Sequence, residues 1–246
     1  MKLNCDLGES YGAWEMGQDE AVMPLIDMAN VACGFHAADP MVIRRTVALA
    51  AEHEVEIGAH PSYHDLAGFG RRSIAHTPEE VHALMLYQLG ALDGMCRAEG
   101  THISYVKPHG ALNNDMMRDD TLLRAVAEAV GTYRHNLPLM IPVTCRYHEQ
   151  QALIESLGVP VLLEAFADRA YTDEGLLVPR KHKGAVHSDP EIIVSQALSF
   201  AEQGGVTSIN GRWLELPAHS LCVHGDNDSA LAAVQAIRDA LKSPSA

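Results

Sequence analysis

The sequence predicts a single α/β domain over residues 1–246, built around a parallel β-sheet. Short, almost continuous apolar runs alternate from end to end with longer runs of helical period, which is typical of repeated βα units. The chain contains no linker-like or low-complexity segment, and α/β barrels commonly take about 200–250 residues as one domain. Such a sheet either closes into a barrel or stays open and doubly wound, with ligands at the carboxyl ends of the strands in both cases.

The strand candidates are short segments that are nearly continuous in apolar residues, as buried parallel strands are. They are Lys2–Cys5, Asn30–Cys33, Glu56–Ala59, Ile103–Val106, Leu139–Pro142, Val161–Glu164 and Leu221–Val223. Between the last two lies Val206–Leu216, with Asn210-Gly211 at its centre. This dipeptide between apolar runs predicts a small β-hairpin.

Helix start signals lie between the strand candidates. Thr77 is followed by Pro78 and Glu80, which predicts an N-cap, a proline at the first helical position and a capping box. Asp39 and Asp189 each precede a proline and repeat the cap signal. Apolar stripes at helical spacing mark two of the helices: Val81, Leu84, Met85, Leu89 and Leu92 in one, and Ala230, Val234, Ile237 and Leu241 in the other.

Composition and charge exclude several classes of protein. With 47 % apolar residues the chain is not disordered, and 32 acidic against 18 basic residues argue against nucleic acid and anionic membranes as partners. No run approaches the ~18 apolar residues of a membrane helix, and Met1–Asp6 is not a secretory signal. The five cysteines are odd in number and form no CxxC pair, which is typical of the reducing cytoplasm.

Residues capable of chemistry follow the strand candidates directly, where α/β folds bind their ligands. The segments are Asn4–Ser10, Ala32–Pro40, Gly58–Arg72, Val106–Asn114, Glu164–Tyr171 and Cys222–Asp226. Five of the six hold a carboxylate and four hold a histidine, and this repetition predicts one convergent polar site. Lys107, directly after an apolar strand, is expected to have a partner or a role, because a buried ammonium needs one.

Several residues in these segments also have a structural interpretation. Asp39 and Asp226 fit helix N-caps. His64 stands four residues after His60, but Pro61 makes the segment a loop, so helical metal-ligand spacing does not apply. The strand-end cysteines Cys5, Cys33 and Cys222 are expected to be small buried packing residues, with a nucleophilic thiol as the alternative. Histidines on helices and solvent-side loops are expected to be peripheral: His53, His76, His82, His102, His135, His148, His182 and His219.

A mononuclear metal site is one interpretation of the strand ends. Two histidines and a carboxylate, such as Asp6, His36 and His60, would suit a hydrolytic Zn²⁺ with an open coordination position. The sequence has no compact ligand motif to support this. It also has no GxxxxGK[ST] phosphate loop and no GxGxxG after the first strand, so it offers no recognisable ATP or dinucleotide cradle of its own.

At these same loops the sequence resembles the LamB/YcsF family. The matching stretches are NCDLGES (Asn4–Ser10), NVACGFHAADP (Asn30–Pro40), GAHPSYHDLAGFGRR (Gly58–Arg72), VKPHGALNN (Val106–Asn114), EAFADRAY (Glu164–Tyr171), GLLVPR (Gly175–Arg180) and CVHGDNDSA (Cys222–Ala230). They span almost the whole chain in order. The resemblance implies a distorted seven-stranded (β/α) barrel of the glycoside hydrolase/deacetylase type. The family usually has other residues at His64, Asn113 and Ala38, which makes these three poor candidates for essential roles.

The resemblance also implies a hydrolase that acts on a cyclic amide. The expected reaction is that of ATP-dependent 5-oxoprolinase, which opens 5-oxo-L-proline (pyroglutamate) to L-glutamate with ATP as co-substrate of a complex with subunits B and C. Because the chain lacks a phosphate loop, we expect those partners to activate the lactam and this chain to hydrolyse or channel the activated intermediate. The alternatives are a stand-alone metal-dependent amidohydrolase or deacetylase, and a non-catalytic lactam-binding subunit.

Within the family motifs, roles can be assigned to particular side chains. The candidate catalytic residues are Asp6 or Glu9 as general base, His36, His60 and His109 as acids or ligands, and Lys107 as electrostatic stabiliser of an oxyanion. The candidate substrate-binding residues are Asn30, Arg71, Arg72, Asn114, Glu164, Asp168, Arg169, Arg180 and His224. The arginines would hold a carboxylate or phosphate. The candidate metal ligands are Asp6, His36 and His60.

Overall fold

The computed structural model describes residues 1–224 and 228–242, and its parallel strands form a closed seven-stranded barrel. The strands are β1 (Lys2–Leu7), β2 (Met28–Ala32), β3 (Glu56–His60), β4 (Ile103–Val106), β5 (Leu139–Pro142), β6 (Val161–Phe166), β7 (Gly205–Thr207), β8 (Trp213–Glu215) and β9 (Ser220–Val223). The first six pair in chain order, and β9 closes the ring between β6 and β1. The closed alternative is therefore the observed one.

The helices follow the barrel strands along the chain, and three of them (α2, α3 and α7) begin directly after the predicted cap residues. They are α1 (Asp19–Val22), α2 (Pro40–Glu52), α3 (Pro78–Ala98), α4 (Gly110–Met116), α5 (Asp120–Tyr133), α6 (Tyr147–Glu155), α7 (Pro190–Leu198) and α8 (Asp228–Lys242). The Thr77 hydroxyl accepts from the Glu80 N–H while the Glu80 carboxylate accepts from the Thr77 N–H, which confirms the capping box. Asp39 and Asp189 cap α2 and α7, whereas Asp226 lies outside the described residues.

The apolar stripes of the helices pack against the barrel as predicted. On α3, Val81, Met85, Leu89 and Leu92 are fully buried and Leu84 is partly buried. On α8, the apolar face is likewise turned inward. None of the helices in the described part of the chain is long and apolar enough to cross a membrane.

All seven predicted barrel strands are present. Four of them (β1, β3, β6 and β9) extend one or two residues beyond the predicted bounds at one end, and β2 is shifted. The bounds of β4 and β5 are those predicted, and the antiparallel pair β7–β8 confirms the hairpin. β2 begins at Met28 rather than Asn30 and ends one residue before Cys33. The two residues missed at its start, Met28 and Ala29, are apolar and buried, and Asn30 is a buried polar residue in the middle of the strand.

The barrel interior is layered from an apolar base to a polar mouth. Met28, Tyr105 and Met140 form a small apolar cluster of their own near the base. Above it, Asn30 donates to the Asn4 side chain (2.8 Å) and accepts from the Tyr105 hydroxyl (2.6 Å). Gly58 makes room for this tyrosine, since a Cβ there would lie 2.2 Å from the ring. The next inward positions along these strands carry the charged side chains of the site.

Candidate functional site

The carboxyl ends of β1, β3, β4 and β6 surround a polar cavity of about 630 Å³. Of the candidate catalytic residues, the cavity is lined by Asp6, Glu9, His60, Lys107 and His109. Of the candidate substrate-binding residues, it is lined by Arg71, Asn114, Glu164, Arg169, Arg180 and His224. The structure thus brings the strand-end segments together at one site, as their repetition along the sequence predicts.

Lys107 is the centre of the charged floor of this cavity. Its Nζ lies 2.7 Å from Glu164 Oε1, 2.9 Å from Asp6 Oδ1 and 3.2 Å from Asn4 Oδ1, so its three protons face three oxygen acceptors. Burial acts to lower the pKa of the ammonium, but the surrounding negative charge, Asp6 above all, raises that pKa well above its ordinary value. Lys107 is therefore a fixed positive charge rather than a free hydrogen-bond donor.

Asp6 is held in its ionised form by its neighbours. Its Oδ1 accepts from Lys107 and from Asn30 Nδ2 (2.8 Å), while its Oδ2 lies 3.4 Å from His60 Nε2. Burial acts to raise the pKa of this carboxyl, but His60 and Lys107 outweigh burial and keep the pKa well below its ordinary value. At neutral pH the side chain is a carboxylate and a weak base.

Backbone carbonyls fix the tautomers of His60 and His109. His60 Nδ1 lies 2.6 Å from the Lys107 carbonyl oxygen, and His109 Nε2 lies 2.9 Å from the Phe69 carbonyl oxygen. Since a carbonyl can only accept, both of these ring nitrogens carry the proton. The other two nitrogens, His60 Nε2 and His109 Nδ1, face each other at 2.9 Å.

His36 completes the histidine cluster. Its ring stacks on His109 with centroids 3.8 Å apart, its Nε2 lies 3.2 Å from Glu9 Oε1, and its Nδ1 lies 3.1 Å from Ser62 Oγ. Burial first, and then the neighbouring histidines, lower the pKa values of His36 and His109 well below the ordinary value. Both rings are therefore neutral at pH 7.

The group that could surround one metal ion differs from the predicted one. Potential ligand atoms of Glu9, His36, His60 and His109 all lie within 4.8 Å of one another. His36 and His60 were expected there, but Asp6 is engaged by Lys107 instead. Glu9 and His109 were candidates for catalysis, yet not for metal binding. The usable signal for Glu9 was its place in the first strand-end segment, just after Gly8 with φ +70°.

Two glycines for which no role was predicted allow the cluster to form. Gly70 has φ +63°, and a Cβ on it would lie 2.8 Å from atoms of both His36 and His109. Gly110 has φ +56°, and its Cβ would lie 2.5 Å from the Gly70 carbonyl oxygen. This close approach brings the Phe69 carbonyl onto the His109 ring.

The arginines of the cavity carry positive charge without a carboxylate partner. Among the described residues, Arg71, Arg169 and Arg180 have no acidic oxygen at ion-pair distance, and Arg71 lies over the Phe69 ring. Arg169 is buried and donates to the carbonyls of residues 178 and 185. Burial, and then the charge of Arg180, lower the pKa of the Arg169 guanidinium. These side chains give one side of the cavity the capacity to bind an anion.

Three candidate substrate-binding residues do not reach the cavity. Arg72 points away from it and pairs with Asp65, because the loop turns between positions 69 and 72. Asn30 lies beneath Asp6 in the barrel interior. Asp168 lines a neighbouring cavity of about 230 Å³, where its Oδ2 lies 2.8 Å from His224 Nδ1.

Burial decides between the two interpretations of the strand-end cysteines, and exposure sets His64 apart from the histidine cluster. Cys5, Cys33 and Cys222 are buried, as expected for packing residues. Burial raises the pKa of the Cys33 thiol to about 12 and that of Cys222 well above its ordinary value, which disfavours a nucleophilic thiolate. His64 is exposed and contacts the Phe35 ring rather than the cluster.

A closed parallel barrel with carboxylates, an ammonium and neutral imidazoles at the carboxyl ends of its strands is the arrangement of a (β/α)-barrel enzyme. The chain belongs to the LamB/YcsF family, whose model matches residues 1–246. It is 58 % identical to the 5-oxoprolinase A subunit of Chromohalobacter salexigens over 97 % of this chain and 95 % of that one. It is 57 % identical to a 5-oxoprolinase A subunit of Pseudomonas putida, over 97 % and 93 %.

A solved structure of the family shares the fold. The lactam utilization protein from Thermus thermophilus superposes with a TM-score of 0.91 at 42 % identity, covering 98 % of this chain and 96 % of that one. The seven-stranded barrel expected from the resemblance is thereby confirmed.

Proposed function

We propose that this chain is the hydrolytic subunit of an ATP-dependent 5-oxoprolinase, which opens the lactam of 5-oxo-L-proline to give L-glutamate. The observation that carries the proposal is the identity of 57–58 % over nearly the full length to proteins named as the A subunit of 5-oxoprolinase. The acid–base cavity at the strand ends supports it, because it supplies the groups that amide hydrolysis needs.

The chemistry explains why ATP is required. A five-membered lactam is an unstrained, resonance-stabilised amide, so its opening is unfavourable near neutrality. Transfer of the γ-phosphoryl group of ATP to the lactam oxygen releases ADP and makes the ring carbon an electrophile. Water then adds to this carbon, the C–N bond breaks and the ring nitrogen takes up protons, which gives γ-glutamyl phosphate. A second water hydrolyses this acyl phosphate, and phosphate leaves. The products are glutamate, ADP and phosphate.

We propose a division of labour within a complex of this chain with subunits B and C. Those partners activate the lactam with ATP, and this chain hydrolyses the activated intermediate. The motive is the absence of a phosphate loop from a sequence that otherwise supplies a full set of acid–base residues. All five cysteines are free, which is consistent with the cytoplasm as the place of action.

Each side of the cavity has its own part in the proposal. Arg71, Arg169 and Arg180 bind the substrate carboxylate or the phosphoryl group. Asp6 orients the attacking water, and Lys107 supplies the fixed charge that stabilises the oxyanion. Because Asp6 is a weak base, the water needs activation by something besides this carboxylate.

The second candidate function is a stand-alone metal-dependent amidohydrolase or deacetylase. The cluster of Glu9 with His36, His60 and His109 favours it. A non-catalytic lactam-binding role is the third, and it predicts that substitution of Asp6 leaves the assembled complex fully active.

Co-expression with subunits B and C tests the proposal. We expect glutamate release from 5-oxo-L-proline to require ATP and all three chains, and Asp6→Asn to lower kcat at least about 100-fold. Arg71→Ala is expected to raise KM at least about tenfold, whereas Arg72→Ala, one position further on but outside the cavity, leaves KM unchanged. ATP-independent release would overturn the coupling, and full-rate turnover of ATP and 5-oxoproline by this chain alone would overturn the division of labour.

A further inference from the structure

The opposed nitrogens of His60 and His109 are an unusual feature of a buried site. Each ring donates one N–H to a backbone carbonyl, which leaves His60 Nε2 and His109 Nδ1 facing each other at 2.9 Å. Two acceptors at this distance repel unless a cation lies between them. The geometry therefore requires a positive species at this point.

The charge of the cavity floor indicates how much positive charge is missing. Asp6, Glu9 and Glu164 are three carboxylates, and Lys107 is the ammonium among them. These four side chains carry a formal net charge of −2. A single proton on one imidazole would leave the floor negative, whereas a divalent cation would balance it.

The hydrogen bonds around the two rings are those of metal-ligating histidines. Such a histidine donates its second ring N–H to a carbonyl or carboxylate, which fixes the tautomer and turns the other nitrogen toward the ion. His60 and His109 both do this through the carbonyls of Lys107 and Phe69. Two nitrogens bound to one ion at ~2.0–2.1 Å are about 2.9–3.4 Å apart, which agrees with the observed distance.

We propose that His60 Nε2, His109 Nδ1 and a carboxylate oxygen of Glu9 bind one divalent transition-metal ion, with Zn²⁺ as the best match to this donor set. Glu9 Oε1 lies 3.9 Å from His109 Nδ1 and is held by His36 Nε2 at 3.2 Å. His36 stacks on His109 in a nearly parallel plane. An ion in the plane of one ring is out of the plane of the other, so His36 lies outside the ligand set.

The inference rests on the proposed function, because a metal ion would supply the activation of water that Asp6 alone does not give. A divalent ion lowers the pKa of a bound water to near neutrality. Asp6, with Oδ2 3.4 Å from His60 Nε2, then lies beside the ion as a carboxylate that can orient such a water. A divalent ion held there would balance the −2 formal charge of Asp6, Glu9, Glu164 and Lys107.

Metal binding by the isolated full-length chain tests the inference without partners or substrate. The purified protein is stripped with a chelator, titrated with ZnCl₂ by calorimetry, and checked by elemental analysis after dialysis. Co²⁺ serves as a spectroscopic probe. We expect one equivalent of Zn²⁺ per chain and a d–d absorption band with Co²⁺. Glu9→Gln is expected to weaken binding at least about tenfold, and His109→Asn to abolish it.

His64→Ala is the matched control, because His64 is an exposed histidine outside the cluster and its loss is expected to leave binding unchanged. Circular dichroism establishes that each variant folds. If His109→Asn does not fold, Glu9→Gln decides whether the cluster binds metal, since it only replaces the carboxylate by a neutral amide of the same shape. Wild-type protein that takes up no stoichiometric metal, or Glu9→Gln that binds as wild type does, overturns the inference. If the inference fails in either way while the assembled complex still releases glutamate, the proposed function stands without the metal site.

Discussion

Replacement of Lys107 by methionine leaves the carboxylates of Asp6 and Glu164 without the ammonium between them. In the wild type, Lys107 Nζ lies 2.9 Å from Asp6 and 2.7 Å from Glu164. Methionine fills most of the same volume, so the change is mainly one of charge. Both carboxylates then either repel each other in a site of low dielectric or take up a proton.

The magnitude follows from the burial of the partners. Removing one partner of a buried ion pair costs about 3–5 kcal/mol. The Glu164 side chain is 1 % exposed, whereas that of Asp6 is 23 % exposed at the cavity. Water can solvate Asp6 after the substitution, so we expect the lower end, a loss of about 3 kcal/mol at pH 7. This is a large part of the ~5–15 kcal/mol that stabilises a typical domain.

Urea unfolding followed by circular dichroism measures the loss. Lys2→Met is the matched control, because Lys2 pairs with Glu56 at the surface with side chains 52 % and 42 % exposed. Its cost is expected to stay below about 1 kcal/mol. In the double variant, Glu164→Gln removes one of the two opposed charges and is expected to restore at least about 1 kcal/mol to Lys107→Met.

Two results would contradict the expected loss of stability. One is a Lys107→Met protein no less stable than the Lys2→Met control. The other is a double variant less stable than Lys107→Met alone, because that would mean that Glu164 is not a repelled charge in the single variant. In either case the ion pairs at the floor of the cavity would contribute little to the fold.

Three further predictions concern the scaffold. Thr77→Ala is expected to lower the free energy of unfolding by about 1 kcal/mol in urea titrations, because it removes a helix cap. Gly58→Ala is expected to lower the free energy of unfolding by more than about 2 kcal/mol, since its Cβ meets the buried Tyr105 ring. Gly90→Ala, on an open helix face, is expected to raise it by about 0.5–1 kcal/mol. Equal shifts in melting temperature for the two variants would contradict this. Burial acts to raise the pKa of Asp93, but hydrogen bonds outweigh burial, so the pKa in the folded protein is below its ordinary value. The ionised carboxylate therefore stabilises the fold above about pH 4, and this contribution is lost as the pH falls through the pKa of the folded state. Asp93→Asn should therefore flatten the acid limb of stability measured against pH.

Much of the fold could be predicted because the elements of a parallel barrel are local. Apolar runs and cap residues mark where each strand and helix lies, and α3 begins at the residue that its capping box indicates. The error at β2 arose where the barrel interior is polar. Asn30 is satisfied by Asn4, Asp6 and Tyr105, three residues from other strands, and a one-dimensional pattern cannot reveal such partners.

The site could be predicted in part, for the same reason. Asp6, His60, Lys107 and Glu164 converge because each stands within two residues of the carboxyl end of a barrel strand and faces the cavity. Loop residues follow no such rule. Arg71 and Arg72 are neighbours in the sequence, yet one lines the cavity and the other pairs with Asp65 outside it, because the local turn decides which of them points inward.

The chemistry of the histidines depends on backbone atoms that no motif records. The Lys107 carbonyl sets the proton of His60, and the Lys107 N–H itself donates to the strand that carries His60, at the Ala59 carbonyl (2.8 Å). The end of β4 thus provides both the buried ammonium of Lys107 and the carbonyl that fixes the tautomer of His60. The Phe69 carbonyl does the same for His109, and only a residue without a side chain at Gly70 lets it approach. Since any amino acid has a carbonyl, these contacts depend on strand register and on one glycine, and those two features determine where the lone pairs of the site point.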